Sequence, residues 1–320
     1  MRRLILVLAL VIAALPAAAQ IDPRRPIRVI VGYGPGSALE VAARAVLEGV
    51  QQRLGTTLVL ESRPGGGGVL GSELVARAAP DGHTLVMGGA GSHGVTPSVH
   101  RRLPFDMERD FTAIARFAEF PVVIMVNPRL PVRTLAEFIV YARARPGQLN
   151  FGSSGVGTSL HLTGEMLRLR AGLDITHVPY RGSTGTTTAL IAGDIQMGFD
   201  ALPAVSGLIQ QGAIRAVAVK TAERLPELPG VPTVVESGLP DFIVTSWVGP
   251  FGPAHMNPAT VDQISRAFTE SALSPEGSAR LRAIGAVPVG EGAAAFDRFW
   301  RADMARWREV VRAANVPVED

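Results

Sequence analysis

Arg28-Val29-Ile30-Val31-Gly32-Tyr33-Gly34-Pro35-Gly36-Ser37-Ala38-Leu39-Glu40-Val41-Ala42 carries in fifteen residues the unit that the rest of the chain repeats. A β-branched apolar run ends at Val31. A glycine-proline turn follows. A helix begins near Ala38 with Val41, Ala42, Ala45 and Val50 on one face. Ser37-x-x-Glu40 has the form of a capping box. Glycines allow a backbone to approach a ligand closely, and the free N–H groups of a helix start attract anions. A plain capped turn is the other reading of this loop.

The same alternation runs through the chain. Arg28–Val31, Thr57–Glu61, Thr84–Gly88, Val122–Val126, Leu149–Gly152, Ile175–Val178, Gln196–Phe199 and Ala216–Val219 read as strands. They are continuously apolar, as strands covered on both faces are. Helix starts lie between them. Thr134-x-x-Glu137 is a capping box, and Asn257-Pro258 and Ser274-Pro275 set a capping residue before a first-turn proline. The class is α/β with mainly parallel sheets. From Ala293 to Ala313, Phe296, Phe299, Trp300, Met304, Trp307 and Val311 recur at steps of three and four. That stripe packs on a sheet rather than lining a ligand box.

In open α/β sheets ligands lie beyond the carboxyl ends of strands, which directs attention to three more loops. Gly66-x-Gly68-x-x-Gly71 satisfies a dinucleotide fingerprint by letter only. The next strand ends Val86-Met87-Gly88 with no acid, so Gly65–Gly68 reads as a flexible turn. Gly88–Gly94 contains Ser92 and His93, which serve either as a catalytic couple or as part of a loop that leaves amides open. Phe151–His161 places glycines, Ser153, Ser154, Thr158 and Ser159 between a strand and a helix. That is an oxyanion cradle with no fixed cation.

Residues 1–19 read as a cleavable signal peptide: Arg2 and Arg3, the apolar run Leu4–Leu15, then Pro16 and small residues, with cleavage near Ala19-Gln20. The run is shorter than the roughly 20 residues a membrane helix needs. There is no cysteine, hence neither a disulfide framework nor a lipid-modified terminus, and the expected compartment is the periplasm. Without Arg2 and Arg3 the 31 basic residues fall to 29 against 28 acidic ones, a balance that describes no nucleic-acid or membrane-surface binder. Lys220 is the single lysine. No G-x-S-x-G elbow or H-E-x-x-H helix occurs. The six histidines are scattered, so neither a transition-metal site nor a cofactor is expected.

Several collinear segments are similar to the extracytoplasmic solute receptors of the tripartite tricarboxylate transporter group, often called Bug receptors. They are Pro35-Gly36 before Val41-Ala42-Ala43-Arg44, Glu61-Ser62-Arg63-Pro64-Gly65, Ala79-Pro80-Asp81-Gly82-His83-Thr84-Leu85 and Leu103-Pro104-Phe105-Asp106. Further on come Val126-Asn127-Pro128, Pro146-Gly147-Gln148-Leu149-Asn150, His177-Val178-Pro179-Tyr180-Arg181-Gly182-Ser183 and Leu228-Pro229-Gly230-Val231-Pro232-Thr233.

The resemblance implies a type II-like periplasmic binding protein: domain 1 of residues 20–123 plus 245–320, domain 2 of 124–244, and a cleft that closes like a hinge. It implies a small carboxylate ligand held by amides, hydroxyls and water rather than arginine, and a monomer. The implied partners are integral-membrane permease subunits, or a sensor kinase reading the same closure. A periplasmic hydrolase using Ser92 with His93 or Ser159 with His161 is the minor alternative, since no motif supplies an orienting third group.

Carried over by position, the implied ligand-binding residues are Tyr33, Pro35, Gly36, Ser37, Ala90 and Ser92 from domain 1. Ser154, Gly157, Thr158, Ser159, His161, Tyr180, Gly182 and Asp200 come from domain 2. Asp200 either meets a ligand ammonium or hydroxyl or caps the segment from Ala201, and Arg181 either pairs with a second carboxylate or is solvated. The family pattern has a second glycine, a Ser or Thr, and an Asp where this chain has Ser37, Leu39 and Glu40. A Ser37 hydroxyl used as a cap would occupy an amide, and Leu39 removes a hydroxyl, so a shifted specificity or a weaker grip on a carboxylate is expected.

Overall fold

The computed structural model describes residues 21–318. The signal-peptide reading lies outside the described residues. The strands are β1 (Ile27–Val31), β2 (Leu58–Ser62), β3 (Thr84–Gly89), β4 (Phe111–Ala113), β5 (Ala115–Phe120), β6 (Val122–Val126), β7 (Leu149–Ser153), β8 (Ile175–Pro179), β9 (Met197–Ala201), β10 (Arg215–Val219), β11 (Ser246–Pro253) and β12 (Val287–Gly292). They form two sheets. The first has the order β12-β5-β11-β3-β1-β2, with β4 on β11; the second has the order β10-β6-β9-β7-β8.

Both sheets are mixed, which corrects the expectation of mainly parallel ones. Among the described residues, β1 is parallel to β2 and β3, and β7 to β8 and β9. Every other ladder is antiparallel. The reason lies in the passage between sheets. β5 and β6 are separated only by Pro121, where the chain passes from the first sheet to the second, so the strand that brings the chain back runs against β5. It returns through β11, whose Gly249, Pro250, Gly252 and Pro253 hid it from strand signals. Those glycines are required: a Cβ on Gly249 would strike the Ala115 carbonyl, and one on Gly252 the Met256 sulfur.

Apolar residues follow the sheets. Val29, Val31, Val46, Leu85 and Phe117 fill one core beside the first sheet. Ile124, Phe138, Phe151, Leu162 and Phe199 fill one beside the second. The helix Ala293–Ala313 joins the two. Its Phe296, Trp300 and Met304 pack with Trp247 and Phe251, while Trp307, Val310 and Val311 enter the second-sheet core with Phe242. The aromatic stripe therefore fastens both halves to one rigid rod.

A buried polar knot fixes that rod. Asp303 is 2% exposed. Its Oδ2 accepts from Trp247 Nε1 at 2.8 Å and Trp307 Nε1 at 3.2 Å, and its Oδ1 accepts from Arg306 Nη1 at 3.2 Å. Burial raises the Asp303 carboxyl, opposed by the Trp247 bond and the Arg306 charge. Lys220, just past β10, is wholly buried. Its Nζ donates to Thr163 Oγ1 at 2.8 Å and lies 4.9 Å over the Phe242 ring. Burial pushes the amine well below its ordinary range, Arg306 adds to that, and Asp303 opposes it.

Replacing a disfavoured buried amine by an apolar group of similar length costs little. Lys220→Met is expected to be neutral or stabilising by about 1 kcal/mol in urea unfolding at pH 7. A loss of about 3 kcal/mol or more would instead mark a charged amine paired with Asp303.

Candidate functional site

The loops after β1, β3 and β7 meet at the cleft between the two sheets. Behind them the glycine turn Gly65–Gly68 runs entirely at positive φ, which only glycine adopts cheaply. A Cβ on Gly32 would lie 2.7 Å from the Gly68 Cα, and one on Gly68 would lie 2.9 Å from the Ser92 Cβ. Tyr33 O–H donates to the Gly67 carbonyl at 2.9 Å. Burial raises the Tyr33 phenol, with the Ser92 hydroxyl opposing. The turn read as flexible is thus the seat on which Tyr33 and the loop after β3 rest.

The helix Ala38–Leu54 begins without a side-chain cap. This corrects the capping-box reading of Ser37-x-x-Glu40. Ser37 Oγ is buried with no partner. Glu40 Oε2 accepts from Gly36 N–H at 2.8 Å, one residue further upstream, because Gly36 turns at φ +81°. The other carboxylate oxygen is held by Arg44 Nε at 2.8 Å. The Arg44 bond, then the Gly36 bond, keep Glu40 below its ordinary range and ionised. Ser37 therefore occupies no amide, and the first-turn N–H groups of this helix carry no side-chain partner.

The loop after β7 leads to the helix Ser159–Ala171. Thr158 is its N-cap, with Oγ1 accepting from His161 N–H at 3.3 Å. The second half of the arrangement is His161 Nδ1, which accepts from Gly157 N–H at 3.1 Å. Ser153 Oγ lies 2.7 Å from His177 Nε2 and accepts from Gly155 N–H at 3.2 Å. The two imidazoles stack with centroids 3.9 Å apart. Burial holds both at about 4, His161 adding a smaller push on His177.

The loop after β3 is a wide helical turn, Ala90–Val95. Ser92 Oγ accepts from Gly89 N–H at 3.3 Å and lies 3.0 Å from His93 Nδ1. His93 is fully buried, stacks on Phe251 at 4.5 Å, and has no partner at Nε2. Burial pushes it to about 3. No carboxylate orients it, and His161 is committed to Gly157. Neither serine–histidine couple forms a nucleophile, base and orienter.

Two adjoining cavities of 210 and 470 Å³ share Tyr33, Gly91 and Ser159. Tyr33, Ser37, Ala90, Ser92, Ser154, Gly157, Thr158 and Ser159 line them. Six other candidates stand off these walls. Pro35 and Gly36 are exposed at the rim. His161 is buried under its loop. Tyr180 packs against Gly152 and Gly185. Gly182 N–H donates to the Ser154 carbonyl at 3.3 Å. Asp200 is buried at the end of β9, with Oδ1 taken by Ala201 N–H at 2.8 Å and Oδ2 unpartnered. Burial raises its pKa, with the Ser183 hydroxyl opposing.

Ala38, Leu39, Gly66, Gly67, Gly89, Gly91, Val95, Thr96, Val99, His100, Val156 and Ser246 complete the walls. The glycines of the β3 loop were a visible signal; Val95, Val99 and Ser246 carried none. No lysine or arginine lines either cavity. Among the described residues, no group of acids and histidines could hold a metal ion, and no helix is long and apolar enough to cross a membrane. A larger, more open groove of 550 Å³ beside Arg63 and Arg77 lies apart from the cleft, with the exposed Leu70 and Leu74 in its walls.

Residues 42–316 match the model of the tripartite tricarboxylate transporter family receptor. Protein BugT of Bordetella pertussis is 32% identical over 324 residues, covering 100% of this chain and 99% of its own. A solved R. palustris protein with adipate is 32% identical with a TM-score of 0.77, over 92% of this chain and 99% of that one. MatC from Rhodopseudomonas palustris with bound malate is 29% identical with a TM-score of 0.73, over 91% and 100%. These neighbours share the two-domain periplasmic binding protein fold, and the matches are to solute receptors rather than enzymes.

Two outcomes follow for the ligand-free protein. Thr158→Ala loses a cap and about 1 kcal/mol, whereas Ser37→Ala loses none, because its hydroxyl bonds to nothing; equal losses in denaturant unfolding would contradict the assignment. The folded-state pKa values of His93, His161 and His177 lie below their ordinary 6.5. The unfolded chain therefore takes up protons first, and stability is full above pH 6.5 and falls toward pH 4. A melting temperature flat across that window would refute the neutral histidines.

Proposed function

The chain belongs to the tripartite tricarboxylate transporter receptor family, and we propose that it captures a small organic acid in the cleft between its two domains and presents it to integral-membrane permease subunits. One observation carries this reading: two helices, one from each domain, begin at the same cavity with hydroxyls beside them and no cation among them. On the first side stand Ser37 Oγ, unpartnered, and the uncapped first turn at Ala38 and Leu39. On the second stands Ser159, which borders both cavities.

Partial positive charge at helix starts favours an anion, and backbone N–H groups supply the donors. A carboxylate seated there is a charge-assisted acceptor, with each such bond worth roughly 1.5–3 kcal/mol. Leu39, Val95, Val99 and Val156 give the cleft apolar walls, which suit the carbon skeleton of the acid. The two relatives solved with adipate and malate support a carboxylate ligand.

Domain 1 is the part of the chain that carries the first sheet, up to Pro121 and again from β11, and domain 2 is the part between them; the expected boundary at 123/124 would cut β6. An acid touching both favours the closed arrangement by the affinity it has for that state alone, with bending at the crossover beside Pro121 and at 220–245. The mature chain, from Gln20, works as a periplasmic monomer.

A thermal-shift screen of the mature chain against adipate, malate, aromatic acids and amino acids tests the reading. One carboxylate class should raise the melting temperature, and Ser37→Ala and Ser159→Ala should each weaken it about tenfold. Stabilisation by neutral compounds only, or an acid that binds both variants as tightly as the parent, would overturn it.

A further inference from the structure

We infer that His161 is a positioning residue that holds the domain 2 ligand loop in its binding shape through the Gly157 amide, as one half of a stacked imidazole pair whose other half, His177, holds Gly155 through Ser153. The geometry rests on each link. Gly157 lines the cavity at φ +74° and immediately precedes Thr158 and Ser159. Its N–H donates to His161 Nδ1, 3.1 Å away. A ring nitrogen that accepts an N–H carries no proton, so the proton of the neutral ring is on Nε2. Nε2 is directed at Glu165 Oε1, 3.9 Å away, while Arg168 Nε holds the other oxygen of Glu165 at 2.7 Å.

His177 lies flat against His161 and reaches Ser153 Oγ at 2.7 Å, which in turn accepts the Gly155 N–H. Two glycine amides of the loop are thus held by side chains, and Ser159 borders both cavities. Domain 1 uses the same offset with a different acceptor. Glu40, the third residue of its helix, takes the N–H of Gly36, the residue before the cap. There the acceptor is a carboxylate pinned by Arg44; here it is an imidazole.

The difference has a consequence. A proton added to His161 must go to Nδ1, the atom that accepts from Gly157, and converts that bond into two donors facing each other. The ionisable groups facing the ring are His177 on β8 and Glu165 on its own helix. His177 disfavours the added charge, and Glu165 is already paired with Arg168. Acid therefore acts on the domain 2 loop by putting a proton on the accepting atom itself, whereas in domain 1 it must neutralise a carboxylate paired with Arg44.

The link to affinity rests on the proposed carboxylate site; the link to loop geometry does not, and the test separates them. The mature protein is compared with His161→Asn, whose Oδ1 replaces the acceptor without titrating, and with His161→Phe, which keeps a ring and removes the acceptor. In ligand-free protein at pH 7, Gly157 amide exchange should be slow in the parent and in His161→Asn, and about tenfold faster in His161→Phe. Nitrogen NMR of the parent imidazole, which needs no variant, should show a bare Nδ1 and a protonated Nε2.

With adipate as probe, His161→Phe should bind about tenfold weaker at pH 7. Between pH 7 and 3.5 the parent should lose roughly four-fold more affinity than His161→Asn, a comparison in which the titration of adipate itself cancels. A protonated Nδ1, or a Gly157 amide equally slow in His161→Phe, overturns the assignment. So does an acid-induced loss of affinity as large in His161→Asn as in the parent. Absence of adipate binding alongside the predicted exchange rates would count against adipate as a ligand while upholding the positioning role.

Discussion

An acid held without a cation, as proposed for this cleft, must be met by amides and hydroxyls that nothing else in the protein is using, and the architecture around the cleft is compatible with that constraint. A helix start supplies such amides only if its cap leaves them open. The helix Ala38–Leu54 achieves this by sending the Glu40 carboxylate past Ser37 to Gly36. The helix Ser159–Ala171 spends Thr158 on the His161 amide and His161 on Gly157, which leaves Ser159 at the wall shared by both cavities. Glycines make the turns possible. Gly36 and Gly157 sit at positive φ before each cap, and Gly32 and Gly68 let two backbones touch behind Tyr33.

The closure proposed for the cleft calls for two halves that stay attached. The chain crosses between the sheets beside Pro121 and again before β11, and the helix Ala293–Ala313 packs on both cores. Asp303 draws together Trp247 on the returning strand and Trp307 on the helix. Lys220 ties the end of β10 to Thr163, in the helix that follows the β7 loop. Buried polar groups of this kind add little net stability. Their effect is to fix which surfaces meet.

Much of this was legible in the residues, and the misses have physical causes. Val122–Val126 is buried along its whole length and reads as a strand because nothing polar interrupts it. Trp247–Pro253 is as deeply buried, yet its glycines and prolines disguise it; the glycines are there because Ala115 and Met256 crowd the backbone. The glycine-rich loops after β1, β3 and β7 announced a site. Ser37 was misread as a cap because the sequence shows that Glu40 is three residues on, but not that Gly36 turns its amide toward it. Gly65–Gly68 looked slack because its partners, Tyr33 and Ser92, lie far off in sequence. Tyr180, Gly182 and Asp200 lie near the β7 loop in sequence order of the sheet, but their side chains or amides are spent behind it, a distinction set by packing alone.

The most direct measurement is a high-resolution crystal structure of the mature protein with a bound acid. The account predicts a carboxylate within hydrogen-bond distance of Ser37 Oγ or the Ala38–Leu39 amides on one side and of Ser159 on the other, with no arginine or lysine touching it. An acid paired with an arginine, or seated outside the cleft in the groove beside Arg63 and Arg77, would contradict it.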